Sequence, residues 1–259
     1  RERIYNLQEA WTGARLTTSW TRIGGAMRDL PDGFLPAVRG FLDTFPATLR
    51  DVRTMLDRNR IWQRRTHGVG VLTREDAVSH GVTGPLLRAS GVAHDLRRAH
   101  PYLDYAGMDF EVPVETDGDV NARYRVRMRE MEESARIVRQ AMEKIPGGPI
   151  NIADPRVMLP SKNDVYSEME AMIYHFKLIM PGHGLCPPVG EVYDATESPN
   201  GELGWYLLSD GTDLPRRVRI RPPSFLNYSA VRRMIEGARI SDMVSTLGSL
   251  NVIAGELDR

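Results

Sequence analysis

Apolar and polar residues alternate along the chain in two rhythms, and each rhythm predicts a different kind of element. Between Gly190 and Pro223 the period is two. Three short runs, Val192 to Glu197, Leu203 to Ser209 and Arg216 to Arg221, are separated by Pro199-Asn200-Gly201 and by Asp210-Gly211-Thr212-Asp213. Asn and Gly accept the positive φ of a tight turn, so an antiparallel meander is expected over about 190–222. In its third run Arg217, Arg219 and Arg221 share one face, and Val218 and Ile220 share the other. Pro222 and Pro223 then stop the ladder, because neither can donate to it. The arginine face is a solvated sheet surface or a docking face, since arginine grips carboxylates in a bidentate fork. Pattern alone leaves both open.

Elsewhere the spacing is helical. Residues 3–12 place Ile4, Leu7 and Trp11 on one side, and Gly13 can end that helix, or it runs on through Leu16 and Trp20. Asp32 can cap a long helix with Leu35, Val38, Leu42, Leu49, Val52 and Leu56 on one buried face, which Pro46 should kink or interrupt. Thr73 and Asp76 have capping spacing for a short helix that Gly81 can close. Residues 101–118 read as irregular, with a short strand at Phe110-Glu111-Val112. From Asp119 to Ile145 a long helix carries Tyr124, Met128, Met131, Ala135, Val138 and Met142 on one face, read as core packing rather than a cofactor box. Pro146-Gly147-Gly148-Pro149 ends it. A further helix over Lys162–Met180 would turn Val165, Met169, Met172, Ile173 and Phe176 inward, and two more, Phe225–Ala238 and Ile240–Leu247, join near Gly237. The fold class expected is α+β, predominantly α-helical, with a small antiparallel β-meander.

Composition narrows the function. The 259 residues carry 34 basic and 34 acidic side chains, a formal charge of zero, which argues against a nucleic-acid binder that relies on a positive field. No apolar run approaches the roughly 18–20 residues needed to cross a bilayer, so any membrane association is expected to be peripheral. Cys186 is the single cysteine, which excludes an internal disulfide and suits a reducing cytoplasmic side, and no signal-peptide pattern is present. The glycine-rich stretches hold neither a GxGxxG nor a Walker A pattern, so NAD binding by this chain is not expected. His175 reads as a core or interface histidine, and His183 with Cys186 supplies too few ligands for a metal site. No metal or iron-sulfur cluster is expected to be held by this chain alone. Adjacent Gly24 and Gly25 suit a loop that approaches a ligand or partner closely, or an ordinary interhelical connection.

The block GELGWYLLSDGTDLPRRVRIRPPSF, from Gly201 to Phe225, closely resembles a block of the D subunit of respiratory complex I, a family descended from the large subunit of nickel-iron hydrogenases. Further matches run in order through Gly13-Ala14-Arg15, Arg22-Ile23-Gly24-Gly25, Asp29-Leu30-Pro31, Asn59-Arg60-Ile61 and Arg65-Thr66. They continue through Gly81 to Pro85, Leu87 to Gly91, Asp95-Leu96-Arg97, Met169-Glu170-Ala171, His175-Phe176-Lys177 and Gly255 to Arg259. The resemblance implies one hydrogenase-large-subunit-like domain over 1–259 that corresponds to the carboxy-terminal part of the usual subunit. The histidine, tyrosine and aspartate that meet the quinone head in the family have no counterpart here.

By the same resemblance, the chain is the quinone-site scaffold of a proton-translocating NADH:quinone oxidoreductase, inactive alone and peripheral to the cytoplasmic or matrix face of the membrane. Quinone is the substrate. Electrons reach it from a 4Fe-4S cluster held by the neighbouring B subunit; the other implied partners are the C and I subunits and the membrane-arm H subunit. The quinone-cavity or cluster-interface residues implied are Thr17, Arg22, Gly24, Gly25 and Asp29, with Asn251, Val252, Ile253 and Gly255 in the tail. Some relatives have histidine at position 17 and many have aspartate at 251, so Thr17 removes a pH-dependent neighbour of the cluster and Asn251 a proton carrier. Two rivals remain: a structural partner subunit without quinone chemistry, and a hydrogenase-type large subunit, opposed by the absence of two cysteine pairs.

Overall fold

The computed structural model describes residues 1–258 and forms two compact units. One comprises Arg1–Asp43, Lys144–Val192 and Leu207–Val218; the other comprises Thr44–Glu143, Tyr193–Tyr206 and the residues from Arg219 on. The architecture is α+β, with helices dominant and two small antiparallel sheets.

In the first unit α1 (Glu2–Thr12) stops where Gly13 turns left-handed at φ 81 and its N–H donates to the Glu9 carbonyl, so the helix does not run on to Leu16. Trp11 instead packs on Trp20, ring centroids 4.6 Å apart, and on Phe34 at 5.7 Å. The segment after it is a minimal hairpin of β1 (Thr21–Arg22) and β2 (Gly25–Ala26), then α2 (Phe34–Leu56), whose residues from Thr44 on are counted with the second unit. Pro46 lies inside α2 without interrupting it. Further along, the single helix expected over 162–180 is two, α8 (Lys162–Ser167) and α9 (Met169–Ile179), because Glu168 between them takes extended geometry (φ −121, ψ 125). Its apolar side does not point inward: Met169, Met172, Ile173 and Phe176 are exposed, and only Ala171 of the second helix is buried. Periodicity establishes that a helix has an apolar face; it does not say which surface lies over it.

The second unit holds the main core. Its helices are α3 (Arg60–Thr66), α4 (Arg74–Ser79), α5 (Pro85–Ala89), α6 (Leu96–Ala99), α7 (Val120–Lys144), α10 (Pro223–Ser229), α11 (Val231–Ile235), α12 (Ile240–Leu250) and α13 (Ala254–Leu257). Leu72, Ala77, Val82, Leu86, Leu87, Ala230, Val231, Met234 and Leu250 form one buried cluster, with Val252 packed against it. Thr73 caps α4 by accepting from Asp76 N–H, as its spacing predicts. Asp119 starts α7 by accepting from Ala122 N–H (2.7 Å) and from Gly68 N–H (2.8 Å). The apolar stripe of α7 is core only at its start: Met128 is 4% exposed, but Met131 and Val138 are 37% and 39% exposed. No strand forms at Phe110-Glu111-Val112. Phe110 is buried under the Arg98 guanidinium, 4.1 Å from the ring centroid, and Glu111 N–H donates to Glu133. The helix expected over 225–238 breaks at Ala230.

The 190–221 segment is the expected meander, ordered β3 (Gly190–Ser198), β4 (Gly201–Ser209) and β5 (Arg217–Arg221). Of the β5 arginines, Arg217 and Arg219 stay exposed, whereas Arg221 donates to the carbonyls of Glu202 and Gly81. Asn200 in the first turn is 3% exposed: this hairpin tip is inside the protein, not on its surface.

Candidate functional site

Five of the nine residues singled out in the sequence lie in the first unit. Thr17, Arg22 and Asp29 are exposed, and Arg22 pairs with Gly25 across the hairpin. The Asp29 carboxylate accepts from Leu30 N–H at 2.7 Å. Gly24 (φ 91) and Gly25 (φ 152) do permit a close approach, and the backbone they approach is the chain's own: Ala26 N–H donates to Ile150 O (3.1 Å) and Ile152 N–H to Gly24 O (2.9 Å). A Cβ built on Gly25 would stand 2.2 Å from Ile150 O. Gly25→Val is therefore expected to cost the first unit about 3 kcal/mol or more, read as a lower urea midpoint and faster proteolysis between residues 20 and 30.

The other four form the tail of the second unit. Asn251 ends α12 in left-handed geometry (φ 54, ψ 48), which asparagine tolerates better than most residues with a Cβ. Its amide clasps that of Asn200: Asn251 Nδ2 donates to Asn200 Oδ1 (2.8 Å), and Asn200 Nδ2 donates back to Asn251 O (3.1 Å). Asn200 O in turn accepts from Asn227, whose own Oδ1 accepts from Thr83 N–H. Ile253 N–H donates to Ser224 Oγ, and Ser224 N–H donates to Glu256. The tail's course is thus set by the buried amides of Asn200 and Asn227, while Asn251, Ile253 and Gly255 remain exposed. In Asn251→Asp a carboxylate oxygen meets Asn200 Oδ1 where an N–H stood. The variant is expected to lose about 1 kcal/mol at neutral pH. Protonation restores a donor, so its deficit against the native chain should shrink as pH falls through the carboxylate range, as paired urea titrations would read.

One feature of this unit escaped the sequence reading. Arg88, 2% exposed, binds Glu130 (2.7 Å) and Glu197 (2.8 Å), lies 3.7 Å from Asp95 and donates to His94 O. Arg97 holds Asp95 at 2.6 Å. Burial works against the Arg88 charge, but Glu130, Glu197 and Asp95 outweigh it and hold the guanidinium above its ordinary value. Burial likewise pushes Glu130 up, against the pull of Arg88 and Arg127. Asp95 is desolvated too, yet Arg97 and Arg88 bring it below the usual carboxylate range. Arg127 donates to Ser249 O (2.6 Å), and one of its terminal nitrogens, Nη2, is buried without a partner. Arg88, Arg97, Arg127, Glu130, Glu197, Pro199 and Asn251 line one cleft of about 310 Å³, so this charge cluster reaches the tail. The available signal was a charged residue inside the apolar stretch Pro85–Val92.

His183 and Cys186 share a cleft in the first unit with Asp154, Arg156, Tyr174 and Lys177. The Arg156 side chain holds Asp154 at about 2. Among the described residues no three His, Cys, Asp or Glu side chains group to hold a metal ion, and no helix is long and apolar enough to cross a membrane.

The model of the family described as "Respiratory-chain NADH dehydrogenase, 49 Kd subunit" matches residues 1–259. Among curated relatives, the NADH-quinone oxidoreductase D subunit of Geotalea uraniireducens (strain Rf4) is 47% identical over all of this chain and 66% of its own length. That of Myxococcus xanthus (strain DK1622) is 48% identical over all of this chain and 62% of its own length. The NADH-quinone oxidoreductase C/D subunit of Bdellovibrio bacteriovorus is 47% identical over all of this chain and 46% of its own length. The chain thus spans somewhat under two thirds of the length of the first two relatives. It belongs to the family of the 49 Kd subunit of the respiratory-chain NADH dehydrogenase.

Proposed function

We propose that the chain is part of the quinone-site scaffold of an NADH:quinone oxidoreductase of the complex I type, working only within the assembled complex. The observation that carries this is the family match along the whole chain, from the 22–25 hairpin to the tail. On this reading the chain contributes a hydrogenase-large-subunit-like domain, and the hairpin with Thr17, Arg22, Gly24, Gly25 and Asp29 and the tail from Asn251 to Gly255 face the cavity and the B subunit. The C, I and H subunits are the other neighbours, at the cytoplasmic or matrix face of a proton-translocating membrane enzyme.

This chain's donor set does not fit an iron-sulfur cluster: Cys186 is its single thiol and is exposed. The cluster is therefore assigned to the partner, and the same fact opposes a hydrogenase-type reading, which needs two cysteine pairs. What the chain's own residues supply is shape and charge. Arg22 offers a permanent cation toward a reduced quinone, and the clasped tail offers a fixed, uncharged wall. Loss of one such charge contact is worth roughly tenfold in rate. Arg22→Ala is expected to lower quinone reductase activity of the assembled complex about tenfold, and Ile253→Ser, which sets a hydroxyl in the apolar wall, is expected to lower it as well. NADH oxidation by an artificial acceptor upstream should be unchanged. Native quinone reduction in both assembled variants would refute the site.

A further inference from the structure

We propose that Arg88 and Glu197 are positioning residues for the tail, acting through the Pro199-Asn200-Gly201 turn. The inference rests on the tail's assignment to the quinone cavity for its functional meaning, but not for its geometry. Glu197 is held from three directions: its carboxylate binds the buried Arg88 at 2.8 Å and accepts from Leu96 N–H at 3.3 Å, and its own N–H donates to the Tyr102 hydroxyl at 3.0 Å. Three residues later Asn200 emerges with its amide aimed at Asn251, making the paired bonds of 2.8 and 3.1 Å. Between these anchors stand only Ser198 and Pro199, and the φ of proline is fixed, so little slack separates the ion pair from the clasp. Gly201, on the other side, presses against Thr83, and Asn227 ties Asn200 O down from below. The turn is therefore held from both ends while Arg88 is in place, and it fixes where Asn251 sits at the head of the tail, with Ile253 tied two residues on by its own N–H to Ser224 Oγ. Arg88, Glu197, Pro199 and Asn251 also border the same cleft, so a shift of the ion pair has no intervening layer to absorb it.

The test uses the assembled complex carrying Arg88→Lys, Glu197→Gln or Asn200→Ala, with Arg136→Met in an exposed ion pair as control. Hydrogen exchange of the amides of residues 251–257 is read by mass spectrometry beside the quinone KM and kcat. Each of the three variants is expected to speed tail exchange about tenfold while residues 130–143 keep their native protection. Quinone KM should rise with kcat changed by less than about twofold, because substrate placement rather than chemistry is disturbed. Arg88→Lys added to Asn200→Ala should do nothing more than Asn200→Ala alone, since both act through one turn. Glu197→Gln keeps the side chain's size and carries the test if Arg88→Lys does not assemble. Native tail exchange in the variants, or additive effects in the double variant, overturns the proposal. Faster exchange with an unchanged quinone KM leaves the positioning intact and overturns the tail's place at the quinone instead.

Discussion

Gly84→Ala is expected to lower the stability of the second unit by about 3 kcal/mol or more, a large part of the roughly 5–15 kcal/mol that a domain possesses. Two effects add. Gly84 sits at φ 71 and ψ −147, a region open in practice to glycine alone. A Cβ there would also lie 2.5 Å from Gly201 Cα and 2.7 Å from Asn200 O. Both obstacles are backbone, and that backbone is the turn that carries Asn200, so relief by a rotamer change is not available. The check is a urea titration against Gly81→Ala, where φ is also positive at 65° but no atom lies within 4 Å of the added Cβ. Gly81→Ala should cost about 1 kcal/mol. Equal midpoints for the two variants would mean that the turn yields, and the steric argument would fall.

Arg123→Met is expected to cost about 3 kcal/mol although it trades a buried cation for an apolar chain of similar length. Arg123 is wholly buried on α7 and meets no carboxylate directly; burial pulls its guanidinium down to about 10. What it binds is oxygen and sulfur from four other places: Gly70 O (2.5 Å), Gly118 O (2.9 Å), Ser249 Oγ (2.8 Å) and Met234 S (3.1 Å). Methionine would leave Gly70 O without the Arg123 donor in a dry interior and would take one bond each from Gly118 O, which keeps Leu72 N–H, and from Ser249 Oγ, which still donates to Thr246 O; it is that loss, not the loss of charge, that sets the sign. Arg123→Lys should recover only part of the deficit, because one ammonium cannot reach all four acceptors. A methionine variant as stable as the native chain, by thermal melting and urea, would show that the charge's desolvation outweighs its bonds.

Local chemistry made much of the fold legible. Gly13, the Thr73 and Asp76 cap and the Asn200-Gly201 turn each act within a few residues, and each stands where the sequence places it. The meander was legible for the same reason, and the family through blocks spread along the whole chain. What could not be read depends on surroundings. Nothing local marks the break at Glu168, which contains neither glycine nor proline, and nothing local says that the apolar side of Met169 to Phe176 is exposed. The glycine pair at 24 and 25 announced a close approach without naming its object, which is the segment around Ile150. Arg88 was visible as part of a block, but its carboxylates were not, since Glu130 and Glu197 lie 42 and 109 residues away.

Those separations also order events in time as the chain folds. Asp95 is a near neighbour in sequence and can reach Arg88 as soon as α5 and the following turn collapse, a closure of microseconds or less. Glu130 needs α7 to dock, and Glu197 must wait for a strand more than a hundred residues further on, so the last compensation of this guanidinium carries the largest loop-closure cost. Until that strand arrives, Arg88, Arg97 and Arg127 face only Asp95 and Glu130, so this cluster cannot be sealed from water without an excess positive charge. The sheet edge is thus the step that licenses the interior to dry, and a slow late phase sensitive to Glu197→Gln but not to Arg97→Lys is the kinetic trace it should leave.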